Sequence, residues 1–269
     1  MNTQLKDKTA LVTGGTSGIG FHIALALARE GAHVAIAARH RDSKAVEAIQ
    51  ALGVRVVPIE ADVSRQESVI EMVQKTVREF GHLDLYVNNA ATARHQAFTQ
   101  ISSEAWQNTV NTNLAGCLWA CREVARHMIS RQQGSILVVG STSMYTPGPR
   151  ETVYRITKMG LKALSQSLAI ELAPYRIRVN LLVPGHYRTK LTAGIPPEIE
   201  ERLTHEIPLR RFGNLQECGH AAVMLLSDAL SGYTTGAELI VDGGLHLRPM
   251  NFLSEPALKD LNLGTVASQ

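Results

Sequence analysis

Thr9-Ala10-Leu11-Val12-Thr13-Gly14-Gly15-Thr16-Ser17-Gly18-Ile19-Gly20 is the stretch on which the fold turns. Thr9 to Thr13 is a short apolar run that ends in glycines, the pattern of a strand buried on both faces of a parallel sheet. Phe21 to Ala28 then reads as a helix, and Gly31 stops it. A glycine turn between strand and helix gathers free N–H groups and the positive end of the helix dipole in one place, which suits a phosphate. Gly14, Thr16, Ser17, Gly18, Ile19 and Gly20 are therefore candidate contacts for the pyrophosphate of a dinucleotide. A simple tight bend would use the same glycines, and the rest of the chain argues against it.

The alternation continues downstream. Strands are expected at 33–38, 54–59, 83–87, 134–139, 177–183 and 238–241, and helices at about 42–52, 64–80 (with Ser64 as N-cap), 104–131, 152–173 and 216–227. A short helical region is expected near 197–205. This is the pattern of an α/β protein: a Rossmann-type doubly wound parallel sheet of about seven strands, helices on both faces and right-handed crossovers. With no linker or repeat, residues 1–269 read as a single domain. Ligands of such sheets bind beyond the carboxyl ends of the strands. The Gly14 turn, Asn88-Asn89, Ser141 and Pro184-Gly185 all follow strand ends.

Composition excludes several classes. The 269 residues are 45% apolar and 19% charged, which is ordinary for a protein with a large core. A net charge of +3, with basic residues scattered, gives no footprint for nucleic acid. No stretch has the uninterrupted apolar length of a membrane span, and residues 1–8 show no secretory signal. Cys117, Cys121 and Cys218 fit no metal spacing, so no metal is expected, and a cytoplasmic location is.

The second strand carries the choice of nucleotide. NAD-binding chains place an acid at its end to hold the ribose hydroxyls. Here Ala37-Ala38 is followed by Arg39-His40-Arg41, with no carboxylate to repel a 2′-phosphate and guanidinium groups to bind it. NADP(H) is expected over NAD(H). Asp62, beside Val63 just past the third strand, reads either as an acceptor for the adenine amino group or as a helix-capping acid.

From Lys8 to Gly244 the chain resembles the short-chain dehydrogenases/reductases. The resemblance rests on the Thr13–Gly20 turn, Asn88-Asn89-Ala90, Asn113-Leu114, Ser141, Tyr154-Arg155-Ile156-Thr157-Lys158, Pro184-Gly185 and Val241-Asp242-Gly243-Gly244, in that order and spacing. It implies hydride transfer between a nicotinamide cofactor and a ketone or secondary alcohol. Tyr154 is then the general acid/base, and Lys158 lowers its pKa and holds the nicotinamide ribose. Ser141 donates to the substrate oxygen, and Asn113 holds a water in a proton relay. The physics agrees: a free phenol titrates near ~10, so it needs a nearby cation to work at neutral pH, and Lys158 lies one helical turn on. Ser143 is a rival to Ser141, which the family spacing favours. The resemblance further places Asn88-Asn89-Ala90 on the adenosine side and Pro184, Gly185 and Thr189 around the nicotinamide. Ala91 replaces the glycine commoner in the family at that place. A homotetramer, or failing that a homodimer, is implied.

The substrate is less legible. The loops after strands four, five and six hold Arg94 and His95, then Ser143, Tyr145 and Arg150, then His186 and the segment 190–210. They suggest a polar ketone such as a sugar, a polyol or a small hydroxy or keto compound. A 3-oxoacyl-thioester reductase is the alternative within the enzyme class, and an NADP-sensing module without turnover is the alternative outside it. The extension 245–269 contains Leu247, Met250, Phe252 and Leu253, and is expected either to pack over a neighbouring subunit or to fray.

Overall fold

The computed structural model describes residues 2–189 and 192–247. In chain order the elements are β1 (Thr9–Thr13), α1 (Gly18–Arg29), β2 (His33–Ala38), α2 (Ser43–Gln50), β3 (Val56–Glu60), α3 (Gln66–Phe80) and β4 (Leu85–Asn88). They continue with α4 (Ser103–Val110), α5 (Gly116–Arg131), β5 (Gly134–Val139), α6 (Thr152–Leu172), β6 (Ile177–Pro184), α7 (Pro197–Glu206), α8 (Leu215–Leu226), α9 (Asp228–Ser231) and β7 (Glu238–Val241). All seven strands form one parallel sheet in the order β3-β2-β1-β4-β5-β6-β7. The order reverses between β1 and β4, which opens a crevice at their carboxyl ends.

The apolar runs form these strands because both sheet faces are covered. Every residue of β1 is buried, and its side chains alternate between two cores, as the two-residue period of a strand requires. Leu11 packs with Val69, Met72, Cys117, Val124 and Leu161 under α3, α5 and α6. Ala10 and Val12 pack with Ile23, Leu27, Ile49 and Val223 under α1, α2 and α8.

Several boundaries differ from the sequence reading. The helix expected over 104–131 is two helices joined by a π-helical turn at Asn111–Ala115. There the buried Asn113 side chain turns inward, and Gly116 lies so close to the Val63 carbonyl that a Cβ would stand 2.4 Å from it. Such one-turn widenings concentrate at functional sites. Ser64 does not cap α3: its hydroxyl donates to Asp62 Oδ1 at 2.7 Å, and Arg65 holds the cap position without a side-chain bond. β3 begins at Val56 and β4 at Leu85. Asp84, just before β4, instead accepts the Thr9 amide at 2.9 Å. Of the extension, residues 245–247 form a 3-10 turn with Leu245 packed on Ile207 and Phe212. Met250, Phe252 and Leu253 lie outside the described residues, as do Lys190 and Leu191.

Arg178 on β6 is a structural hub. Its guanidinium donates to the carbonyls of Leu225 (2.8 Å), Leu226 (3.1 Å) and Thr234 (3.2 Å) and to Asp228 Oδ1 (2.8 Å), tying the sheet to α8, α9 and the approach to β7. Arg178→Ala removes the bonds to Leu225, Leu226, Thr234 and Asp228, although Leu225 and Thr234 keep Ser231 and Asn180 as donors, and is expected to cost about 3 kcal/mol. That lowers the thermal midpoint by roughly 10 °C, and an unchanged calorimetric midpoint would show the network to be dispensable.

Candidate active site

A cleft of about 750 Å³ runs along the carboxyl ends of the strands. At its β1 end the glycine turn is shaped by two close approaches. Gly14 has φ +65°, a left-handed conformation that glycine adopts without a Cβ clash, and a Cβ on Gly20 would stand 2.3 Å from Asn89 Nδ2 and 2.4 Å from the Gly14 carbonyl. Asn89 Nδ2 donates to the carbonyls of Thr13 (3.0 Å) and Gly14 (3.3 Å). Thr13 Oγ1 in turn accepts the amides of Asn89 (3.0 Å) and Ala90 (3.2 Å). This lock between β1 and β4 was not read from the sequence, although Thr13 directly before the glycines was its signal. Asn88, read as a cofactor contact, is instead buried in β4 and accepts from Tyr86 Oη at 3.0 Å.

The start of α1 is electrostatically open. Ser17 makes no side-chain cap bond, and the first turn holds no acid. Its N–H groups and dipole therefore favour an anion from the cleft. Arg39, His40 and Arg41 line the same end, as do Asp62 and Val63. The nearest acid after β2, Asp42, is taken up in capping α2, accepting from Ala45 N at 3.2 Å. Asp62 accepts from both the amide and the hydroxyl of Ser64. Burial pushes its carboxyl up, but those bonds, with Arg39 and Arg65 nearby, carry it below its ordinary value. An extended cleft with an uncapped helix start, guanidinium groups and a turn admitting close backbone approach fits a phosphorylated dinucleotide.

Ser141, Tyr154 and Lys158 line the wall under β5 and α6, with Pro184, Gly185 and Thr189 closing over from β6. The three come together because β5 ends at the Ser141 turn and α6 presents Tyr154 and Lys158 on one face, four residues apart. Burial pushes the Tyr154 phenol up to about 12, a hydrogen bond with Ser141 works against this, and the Glu151 carboxylate adds to it. Burial pulls Lys158, only 2% exposed, down to about 8. Its ammonium donates to the Val139 carbonyl at 2.8 Å and lies 5.5 Å from the centre of the Tyr154 ring. Asn113 sits behind this wall. Its Oδ1 accepts the Thr92 amide at 2.8 Å, and its Nδ2 donates to the Thr92 carbonyl (2.9 Å) and to Thr157 Oγ1 (3.2 Å).

Of the six substrate candidates, only Arg94 lines the cleft among the described residues. Tyr145 is drawn away by Glu238, to which its hydroxyl donates, and Lys162 pairs with the same carboxylate at 2.9 Å. Burial, then the Glu238 contact, raises that phenol. Ser143 is buried within a 3-10 turn and donates its amide to Ser141 Oγ at 3.2 Å. His186 stacks on Phe212 with 5.6 Å between ring centres. Arg150 is an exposed loop residue at φ +66° whose carbonyl accepts the Gln96 amide, and His95 is exposed beside it. Thr92, Asn108, Thr112, Tyr187 and Thr192 line the cleft without having been singled out. They are polar or aromatic positions in loops and helix faces whose orientation the sequence does not fix.

Among the described residues no cluster of His, Cys, Asp or Glu could hold a metal, and no helix is long and apolar enough to cross a membrane.

A family model described as enoyl-(acyl carrier protein) reductase matches residues 14–246. The chain is 36% identical over 248 residues to 3-oxoacyl-(acyl-carrier-protein) reductase FabG of Chlamydia muridarum, covering 91% of this chain and 100% of that one. Among solved structures it is similar to a short-chain type dehydrogenase/reductase from Mycobacterium marinum, with TM-score 0.85, 34% identity and coverage of 90% and 97%. It is also similar to an NAD+-bound xylitol dehydrogenase, with TM-score 0.84, 29% identity and coverage of 90% and 100%.

Proposed function

The chain belongs to the short-chain dehydrogenase/reductase family of oxidoreductases, and from that premise we propose that it interconverts a ketone and a secondary alcohol using NADP(H). One observation carries this reading. Tyr154, Ser141 and Lys158 share one wall of the cleft whose other end offers an uncapped helix start and Arg39, with no acid at the end of β2 and Asp42, the first one after it, capping α2.

The glycine turn, Arg39, His40, Arg41, Asp62, Val63, Asn89, Ala90, Pro184, Gly185 and Thr189 would hold the dinucleotide, and Lys158 its nicotinamide ribose. When bound, NADPH supplies a hydride to the carbonyl carbon. Tyr154 Oη gives its proton to the carbonyl oxygen. Ser141 Oγ donates a hydrogen bond to that oxygen and stabilises the charge that develops there. Lys158 provides the cation that eases loss of the phenolic proton, and Tyr154 is re-protonated from solvent. Asn113, by holding Thr92 and also Thr157, the chain neighbour of Lys158, steadies that route. Oxidation of the alcohol runs the same steps backwards.

Arg39→Ala is expected to weaken NADPH binding about tenfold to a hundredfold and NADH binding little. Equal losses for both in a fluorescence titration would remove Arg39 as the reader of the 2′-phosphate. The NAD+-bound relative makes this comparison informative.

A 3-oxoacyl thioester is the second substrate reading, favoured by the reductase of that name which this chain resembles over nearly its full length. A small polar ketone is the first, from the polar lining of the cleft. NADPH oxidation against acetoacetyl-N-acetylcysteamine, ethyl acetoacetate and D-fructose separates them. Turnover on none, with tight NADPH binding, would favour a sensing module instead. Ile156, Met159 and Ile170 are exposed on one face of α6, and Leu118 is exposed on α5. We include self-association through this pair of helices, to a dimer or tetramer, in the proposal.

A further inference from the structure

We propose that Arg155 is a positioning residue that ties the first turn of α6 to the turn carrying Ser141, and so sets the spacing of the Tyr154 and Ser141 hydroxyls. The role rests on the catalytic reading of those two hydroxyls, while the clamp itself does not.

The two groups arrive on different elements. Ser141 caps the 3-10 turn Thr142–Met144, and Tyr154 lies in the first turn of a helix that starts at Thr152. Between them runs a loop containing Pro147, Gly148, Pro149 and Arg150, with Arg150 in the left-handed region. Glu151, at the helix N-cap, makes no side-chain cap bond. Thr146 is tied back to Thr142 and the Arg150 carbonyl takes the Gln96 amide, but neither contact joins the Ser141 turn to α6.

The Arg155 guanidinium crosses the gap. Its Nε donates to the Ser143 carbonyl at 2.8 Å and its Nη2 to the Met144 carbonyl at 3.2 Å. Both acceptors belong to buried residues, 7% and 3% exposed, so losing the donors would orphan them. Two bonds from one planar fork fix orientation as well as distance, which a point-charge ammonium does not. No carboxylate pairs with Arg155 among the described residues, so its bonds go to main chain.

A second fastening lies two turns along the same helix face. Lys162, seven residues after Arg155, pairs with Glu238, which also takes the Tyr145 hydroxyl at the far end of the Ser141 turn. The Ser141 turn is thus bound to α6 at Ser143 and Met144 by Arg155, and at Tyr145 both by Lys162, which donates to its hydroxyl at 3.4 Å, and through Glu238 of β7. Arg155 is the link nearer the hydroxyls, and the residue beside Tyr154 acts through Ser141 without itself lining the cleft.

The test compares Arg155→Ala and Arg155→Lys with the unmodified chain. Amide hydrogen exchange of a peptide spanning 140–147 needs no substrate. In Arg155→Ala it should quicken about tenfold or more while exchange in β1 and α1 is unchanged. With whichever of acetoacetyl-N-acetylcysteamine, ethyl acetoacetate or D-fructose the unmodified enzyme reduces, kcat should fall about 10- to 100-fold. The Kd for NADPH should stay within about twofold, and Arg155→Lys should recover only part of the loss. Unchanged exchange at 140–147 would overturn the clamp. Quickened exchange with unchanged kcat, or equal losses of kcat and NADPH affinity, would overturn the positioning role. No turnover by the unmodified enzyme on any of the three would sink the catalytic reading, and the positioning role with it, while exchange still decides the clamp.

Discussion

Tyr154→Phe is expected to lower kcat by about a thousandfold or more while leaving NADPH affinity nearly unchanged. The substitution removes one oxygen and the only proton the wall can hand to a carbonyl from this position, and positioned general acid–base catalysis is worth 10²–10⁴. Binding should survive, because the phosphate-facing groups lie at the other end of the cleft, around the Gly14 turn and Arg39. The remaining ring keeps its packing, so the variant should fold normally. Its loss would fall in kcat and kcat/KM together, the sign of an interaction made in the transition state. Near-normal NADPH oxidation by this variant would end the assignment of Tyr154 as the acid.

Lys158→Met should cost on the order of a thousandfold in kcat/KM and should also change the pH profile. The side chain sits against the Val139 carbonyl and below the Tyr154 ring, and burial brings its pKa from the ordinary lysine value down to about 8. The sign follows directly. Below about 8 the ammonium is present and eases loss of the phenolic proton. Above it the proton leaves and the cation is gone. Because kcat/KM reports the free enzyme, the rate constant for ketone reduction should be level below pH 8 and decline above it. The break should be missing from the residual activity of Lys158→Met. A break that persists in that variant would assign the ionisation to another group. In the alcohol-oxidising direction the phenol, near 12 in the free protein, must first ionise, so that rate should rise with pH over the neutral range.

The parts of this protein that the sequence made legible are those that local chemistry dictates. The apolar runs at Thr9–Thr13, His33–Ala38 and Gly134–Val139 are strands because only a sheet covered on both faces can bury such runs whole. The glycine turn follows from its residues, since a Cβ at Gly20 would strike the Gly14 carbonyl. Ser141, Tyr154 and Lys158 line one cleft because chain order delivers them to strand ends and to one face of one helix.

The break within the expected long helix is not legible in the sequence, for a physical reason. Nothing in the periodicity of Glu104–Arg131 marks the π turn, which depends on Asn113 finding Thr92 and Thr157, residues 21 and 44 positions away. The substrate loops are hard to read from sequence for the same reason. Tyr145 is an aromatic residue beside the catalytic serine, yet it turns to Glu238, 93 residues on, and only the pairing of β6 with β7 puts that carboxylate within reach.

By itself, then, the sequence determined the strand-helix alternation, the phosphate-facing turn and the shared helix face of Tyr154 and Lys158, because each depends on neighbours a few residues apart. Only the tertiary structure decided which side chains face the cleft and which are spent holding it. Asn113, Tyr145 and Arg155 all have polar side chains able to meet a ligand. Each is instead engaged by groups far along the chain or across a loop, since a buried donor or acceptor must find a partner wherever the fold supplies one.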